Sequence, residues 1–138
     1  MKPEEVDDLL KSLQEQWPII EIVSFNELDV QQKLQEQPYK LIQFSEKYIK
    51  EKSRMDDLLD LKIRLSAKLY DKLRFHVDKA LSTKEIEQYY MPTDGDMIKL
   101  NNAIAKQTVI INYFEMCVKA IEKQVWSIKL WMENKRYG

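Results

Sequence analysis

One pattern constrains this chain more than any other. Met97, Leu100, Ile104, Gln107, Ile111, Phe114, Val118, Ile121, Val125, Ile128 and Met132 follow one another at alternating steps of three and four residues, and all but Gln107 are apolar. Such a repeat places its members on one side of a helix and predicts coiled-coil-like packing. Val109, Ile110, Tyr113, Met116, Cys117 and Trp131 widen the stripe beyond a simple two-helix seam. A helix this apolar needs cover on more than one side. A second long helix of the chain is one source of cover, and copies of the same chain are another. The only glycines are Gly95 and Gly138. That scarcity disfavours the tight turns of a β-rich fold and suits long helices.

The second long element is predicted from Tyr39 to about Leu81, where neither glycine nor proline occurs. Leu41, Phe44, Tyr48, Met55, Leu58, Leu65 and Leu69 hold helical spacing, with Glu51 and Lys62 as polar interruptions. An unbroken helix of that length would run roughly 60 Å. It must therefore either break or lie along a partner. Residues 3–16 read as a short amphipathic helix ended by Trp17-Pro18, because the residue before proline avoids helical geometry. Ile19 to Phe25 reads as extended or irregular. Ser24-x-x-Glu27 matches a capping box for a short helix over roughly 25–36, after which Pro38 can open a new helix. Ser82-x-x-Glu85 repeats the motif for a helix through Tyr90, and Met91-Pro92-Thr93-Asp94-Gly95 is a turn whose Thr93 or Asp94 can cap the last helix. The expected fold is all-α, with long helices in a helical hairpin and coiled-coil-like packing. It forms a single domain: an acidic arm with short helices (1–37), a basic helical region (38–91) and a C-terminal oligomerisation helix (92–138).

Charge follows the same divisions. The formal net charge of −1 conceals nine acids against three bases in residues 1–37 and seven acids against twelve bases in residues 38–84. Lys62, Arg64, Lys68, Lys72, Arg74 and Lys79 crowd into eighteen residues, and Arg64, Lys68 and Lys72, four apart, form one stripe on a helix. Tyr70, Phe75 and His76 interleave with them and could stack on unpaired bases. A solvated helix face accounts for the same residues in an isolated chain. Repetition in an oligomer would sum many weak phosphate contacts into salt-sensitive binding. The expected nucleic-acid set is Lys62, Arg64, Lys68, Lys72, Arg74 and Lys79. The expected oligomerisation set is Leu100, Ile104, Ile111, Phe114, Val118, Ile121, Val125 and Ile128.

Catalysis finds little support, and no enzyme activity, cofactor or metal is expected. His76 is the sole histidine and Cys117 the sole cysteine, within an apolar stripe where a thiol stays protonated. No glycine-rich phosphate loop is present. Thr93-Asp94-Gly95-Asp96 looks like part of a calcium loop, but Ile98 and Leu100 stand where ligands would follow, so the cap explains it better. Trp126 and Trp131 fit core or interface packing. Lys129, Lys135 and Arg136 fit the negative end of a helix dipole. The acidic, polar start predicts no secretory signal, no apolar run reaches a membrane-spanning length, and a cytoplasmic protein is expected.

The sequence resembles the UvsY-type recombination mediators of large tailed bacteriophages, most closely over residues 85–138. Asp94-Gly95-Asp96-Met97-Ile98-Lys99 is similar to that family's acidic turn. Ala120-Ile121-Glu122-Lys123-Gln124-Val125-Trp126-Ser127-Ile128-Lys129 is similar to its C-terminal signature. Lys72-Leu73-Arg74 matches its Lys-x-Arg element for single-stranded DNA, although Phe75-His76-Val77-Asp78 replaces the glycine-rich continuation of some members. The resemblance implies a non-catalytic mediator in the cytoplasm of an infected host cell. Its partners would be single-stranded DNA, the single-strand-binding protein and a RecA-like recombinase, which it helps load onto DNA coated by the binding protein. It further implies self-assembly, driven by residues 97–132, into a homo-oligomeric ring, a hexamer or heptamer. The alternative is a helical scaffold or adaptor without a nucleic-acid role.

Overall fold

The computed structural model describes residues 1–75 and 82–137. Among the described residues five helices form: α1 (Pro3–Gln16), α2 (Ile19–Val23), α3 (Val30–Phe75), α4 (Thr83–Glu85) and α5 (Gly95–Tyr137). A π-helical turn (Ile86–Tyr90) and a 3-10 turn (Met91–Thr93) lead from α4 to α5. No strand occurs among the described residues, so the protein is all-α.

Local chemistry explains most boundaries. Pro3 occupies the first turn of α1 and Glu4 and Glu5 face its positive end. At the other end Trp17 leaves helical geometry before Pro18 (φ −130°, ψ 76°). Ser82 Oγ accepts a hydrogen bond from the Glu85 N–H at 3.2 Å, as the capping motif requires. Asp94, not Thr93, caps α5, its Oδ2 accepting from the Met97 N–H at 3.0 Å. Thr93 Oγ1 instead donates to the Tyr90 carbonyl.

Three expectations are corrected. Ile19–Val23 is a helical turn rather than extended or irregular chain. The cap before α3 lies two residues beyond Ser24. Asn26 Oδ1 accepts from the N–H groups of Leu28 and Asp29 at 2.8 and 3.0 Å, while Asp29 Oδ1 accepts from the Asn26 N–H at 2.7 Å. Asn26 and Asp29 thus make the reciprocal pair that Ser24 and Glu27 were expected to make. Finally, no new helix starts at Pro38, which lies inside the continuous helix Val30–Phe75. An interior proline costs about 3 kcal/mol. Burial of Val30 before it and Phe44 after it offsets that cost.

By contact the chain divides into two compact units. One joins Lys2–Lys52 to Val109–Gly138; the other is Ser53–Thr108. In the first unit Leu13, Ile19, Phe44, Tyr113, Phe114, Cys117 and Ile121 form one buried cluster. Trp17 stands edge-on to both Phe44 and Phe114, at 5.2 and 5.4 Å between ring centres. Tyr113 Oη donates to the Trp17 carbonyl, which holds the end of α1 against α5. Gln37 Nε2 donates to the Ile121 carbonyl and Phe44 meets Phe114, so α3 and α5 run antiparallel in this unit. In the second unit Ile86 and Met97 are buried, and the Tyr70 hydroxyl meets Thr83 Oγ1 at 2.9 Å, linking α3 to α4.

Candidate nucleic-acid interface

The expected cationic set separates on the folded helix. Arg64, Lys68 and Lys72 lie one turn apart on a common stripe of α3, and all are exposed. Arg64 pairs with Asp60 at 2.8 Å, a solvent-exposed contact worth little. Neither Lys68 nor Lys72 makes an ion pair among the described residues.

The other members lie elsewhere. Lys62 is half-buried and lines a small cleft with Ser66, Glu87, Met91, Met97 and Asn101. It faces the inside of its unit because its helical angle is close to that of the buried Leu69, two turns on. Arg74 is turned onto Tyr70. Its guanidinium carbon is 5.8 Å from the ring centre, and Nη1 donates to the Tyr70 hydroxyl at 3.1 Å. Tyr70 is thereby engaged by Arg74 and Thr83, which takes its ring out of the expected stacking set. Lys79 and His76 lie outside the described residues.

The expected oligomerisation row divides as well. Phe114 and Ile121 are fully buried and Ile128 is 1% exposed, all within the chain itself. Leu100, Ile104, Ile111 and Val118 are half-buried, and Val125 is exposed. In the first unit the buried seam of α5 uses Phe114, Ile121 and Ile128 from the expected set. It couples them to Cys117 and Gln124, with Ile110 half-buried between, rather than to Ile111, Val118 and Val125. Gln124 was not anticipated from the sequence. Its Nε2 donates to the carbonyls of Ile22 and Val23 at 3.0 and 3.3 Å, satisfying the last groups of α2. A polar residue seven positions after Cys117, inside an apolar stripe, is the one trace of that role in the sequence.

Burial pushes the Cys117 thiol up to about 11, against a smaller opposing effect of its hydrogen bond with Tyr113. The Tyr113 phenol is raised beyond its usual range by burial first and by Cys117 beside it second. Both groups are neutral packing elements at pH 7. Among the described residues no cluster of three or more His, Cys, Asp or Glu side chains could hold a metal. None of the described helices is long and apolar enough to cross a membrane.

No protein-family model, curated protein or solved structure matches the chain.

Proposed function

We propose that this chain is a non-catalytic, self-assembling single-stranded-DNA-binding protein of the recombination-mediator type. In that role it helps a RecA-like recombinase displace the single-strand-binding protein. The observation that carries the reading is the exposed stripe of Arg64, Lys68 and Lys72 on a regular helix, two of its three cations being unpaired among the described residues. A rigid helix presents the charges at a fixed spacing, so little ordering is lost on contact with phosphates. One stripe is too weak alone. The apolar positions of α5 that its own chain leaves open, Val125 and Met132 at 40% and 46% exposure, support a role for sister copies in multiplying it.

The test is Lys68→Ala with Lys72→Ala. Arg74 is left in place, because it also holds Tyr70. Binding to oligothymidine across a salt series should weaken and its slope should flatten, with mass by light scattering unchanged. Unaltered affinity at every salt concentration removes the stripe from the site.

A scaffold or adaptor role is the second reading. It is favoured by the near-balanced charge of −1 and by the Asp60–Arg64 pair within the stripe. An adaptor should fail to retard oligothymidine in a gel at low salt.

A further inference from the structure

The outer edges of α3 and α5 both carry apolar side chains that the chain itself leaves open. On α3, Tyr39, Ile42 and Ile49 are 66%, 60% and 64% exposed. With Glu46 they form one row at steps of three and four residues. On α5, Met116, Trp126 and Leu130 are each at least half exposed, in a row that also holds Lys119 and Lys123. Both rows belong to the unit that joins Lys2–Lys52 to Val109–Gly138. Each lies on the far side of its helix from the residues that bring α3 and α5 together, Phe44 on one and Phe114 and Ile121 on the other. Large side chains left open in a connected row mark a contact surface, where single ones would not.

The two rows match in span and in charge. Tyr39 and Ile49 are ten residues apart, and so are Met116 and Trp126. Each pair therefore spans about 15 Å of its helix. Within that span α3 carries Glu46, three residues before Ile49. The α5 span carries Lys119, three residues after Met116, and Lys123, three before Trp126. Laid together in either direction, the apolar ends meet and Glu46 comes opposite a lysine. Beside these lysines the α5 face is hollowed over Ala120, which leaves room for an isoleucine of the facing row. Neither row matches itself. An antiparallel copy of the α5 row sets Lys119 opposite Lys123, and one of the α3 row sets two Glu46 carboxylates about one turn apart. Parallel copies set like on like. The α5 face as a whole carries Glu115, Glu122 and Glu133 among Lys119, Lys123 and Lys129, so it holds no excess of positive charge to attract a polyanion. Neither Glu46 nor Lys123 makes an ion pair among the described residues, and Lys119 holds Glu115 at 3.1 Å on the surface, a contact worth little.

We propose that the row Tyr39–Ile42–Glu46–Ile49 of one copy docks on the row Met116–Lys119–Lys123–Trp126 of the next. The proposal rests on the reading that copies of the chain assemble, and it names the two surfaces that meet. The contact is head-to-tail. What one copy offers on α3, the next receives on α5, and every copy keeps the other row for a further neighbour. Repetition closes a ring when the rotation between copies divides a full turn, and extends a filament otherwise. A two-fold dimer needs one surface complementary to itself, which neither row is. The apolar and aromatic ends supply the area removed from water, while the pairing of Glu46 with a lysine fixes the register. Neither Val125 nor Met132 takes part, so this contact is tested apart from them.

The experiment is an exchange of charge, read by light scattering of the full chain. Glu46→Lys should lower the mass of the assembly, and Lys119→Glu with Lys123→Glu should do the same. Each should keep the far-ultraviolet helical signal, since all three side chains are exposed. The three substitutions together should restore the mass, because acid and base have changed places. Tyr39→Ser should also lower the mass, with no change of charge. The contact is overturned by a parent with the mass of one chain, by a Glu46→Lys variant as heavy as the parent, or by a triple variant no heavier than its components. Should Glu46→Lys lose its helical signal, Tyr39→Ser carries the test, and parental mass in that variant overturns the contact. Oligothymidine binding by the same preparations separates this contact from the proposed function. A parent of one chain's mass that binds oligothymidine overturns the contact and leaves the stripe on α3 in place. A mass restored in the triple variant, without oligothymidine binding by the parent, upholds the contact and removes the nucleic-acid role.

Discussion

At the scale of single residues, Phe114 is the most consequential side chain in its unit. It is fully buried and meets the rings of Trp17, Phe44 and Tyr113. Phe114→Ala removes one partner from each of those pairs and leaves a cavity in the centre of the cluster. The expected loss is about 3–5 kcal/mol in chemical denaturation. Cys117 yields a prediction of another kind. Its thiol is raised from 9.0 to about 11 in the folded chain. Below about pH 9 the thiol is protonated whether folded or not, and its contribution to stability is complete. Between 9 and about 11 only the unfolded chain gives up the proton, so stability falls as pH rises. Denaturation followed from pH 7 to pH 10.5 should show this decline, and Cys117→Ala should flatten it. The same burial should keep the native thiol unreactive towards iodoacetamide until the protein unfolds.

At the scale of elements, helix ends were more legible than helix partners. The limits of α1, the Ser82 cap and the Asp94 cap follow from short motifs whose hydrogen bonds are local. The Asn26–Asp29 cap was missed because Ser24-x-x-Glu27 satisfies the same motif two residues earlier. Both patterns are sound in isolation, and the choice between them depends on where α2 ends. Ser24 is drawn to that end, its Oγ donating to the Glu21 carbonyl. Asn26→Ala should therefore cost about 1 kcal/mol, and Ser24→Ala clearly less, by thermal melting of the two variants side by side. The continuous α3 shows the same limit from the other direction. Pro38 is a breaker in any local reading, but the helix on either side of it is secured by buried Val30 and Phe44. Local propensity is a weak prior beside such packing.

At the scale of the whole molecule, the apolar surface of α5 exceeds what its own chain covers. Met116, Val125, Trp126, Leu130 and Met132 are each at least 40% exposed. Under the proposed assembly, Val125 and Met132 belong to the contact between copies. They line a groove with Leu34 and Ile128. Val125→Lys with Met132→Lys should reduce the mass seen by light scattering and leave the far-ultraviolet helical signal intact, since neither side chain is part of the buried cluster. The double variant should also bind oligothymidine with a shallower salt dependence, because fewer stripes act together. A mass that equals one chain in both proteins would remove assembly from the proposed mechanism and leave each cationic stripe to act alone.

The sequence by itself determined the all-α class, the helical course of α1 and α5, the common stripe of Arg64, Lys68 and Lys72, and the packing role of the thiol. Each depends on periodicity or on contacts within a few residues along the chain. Tertiary structure alone decided which neighbouring seam of α5 turns inward. The rows through Ile111, Val118 and Val125 and through Ile110, Cys117 and Gln124 differ by one residue, and both are compatible with a three–four repeat. The second is the one covered, because α1, α2 and the junction between them deliver Leu13, Ile19 and Trp17 to that side, and the end of α2 leaves carbonyls there for Gln124 to satisfy. The same placement exposes Trp126, a residue whose spacing suits core or surface equally well and whose environment is set by partners distant in sequence.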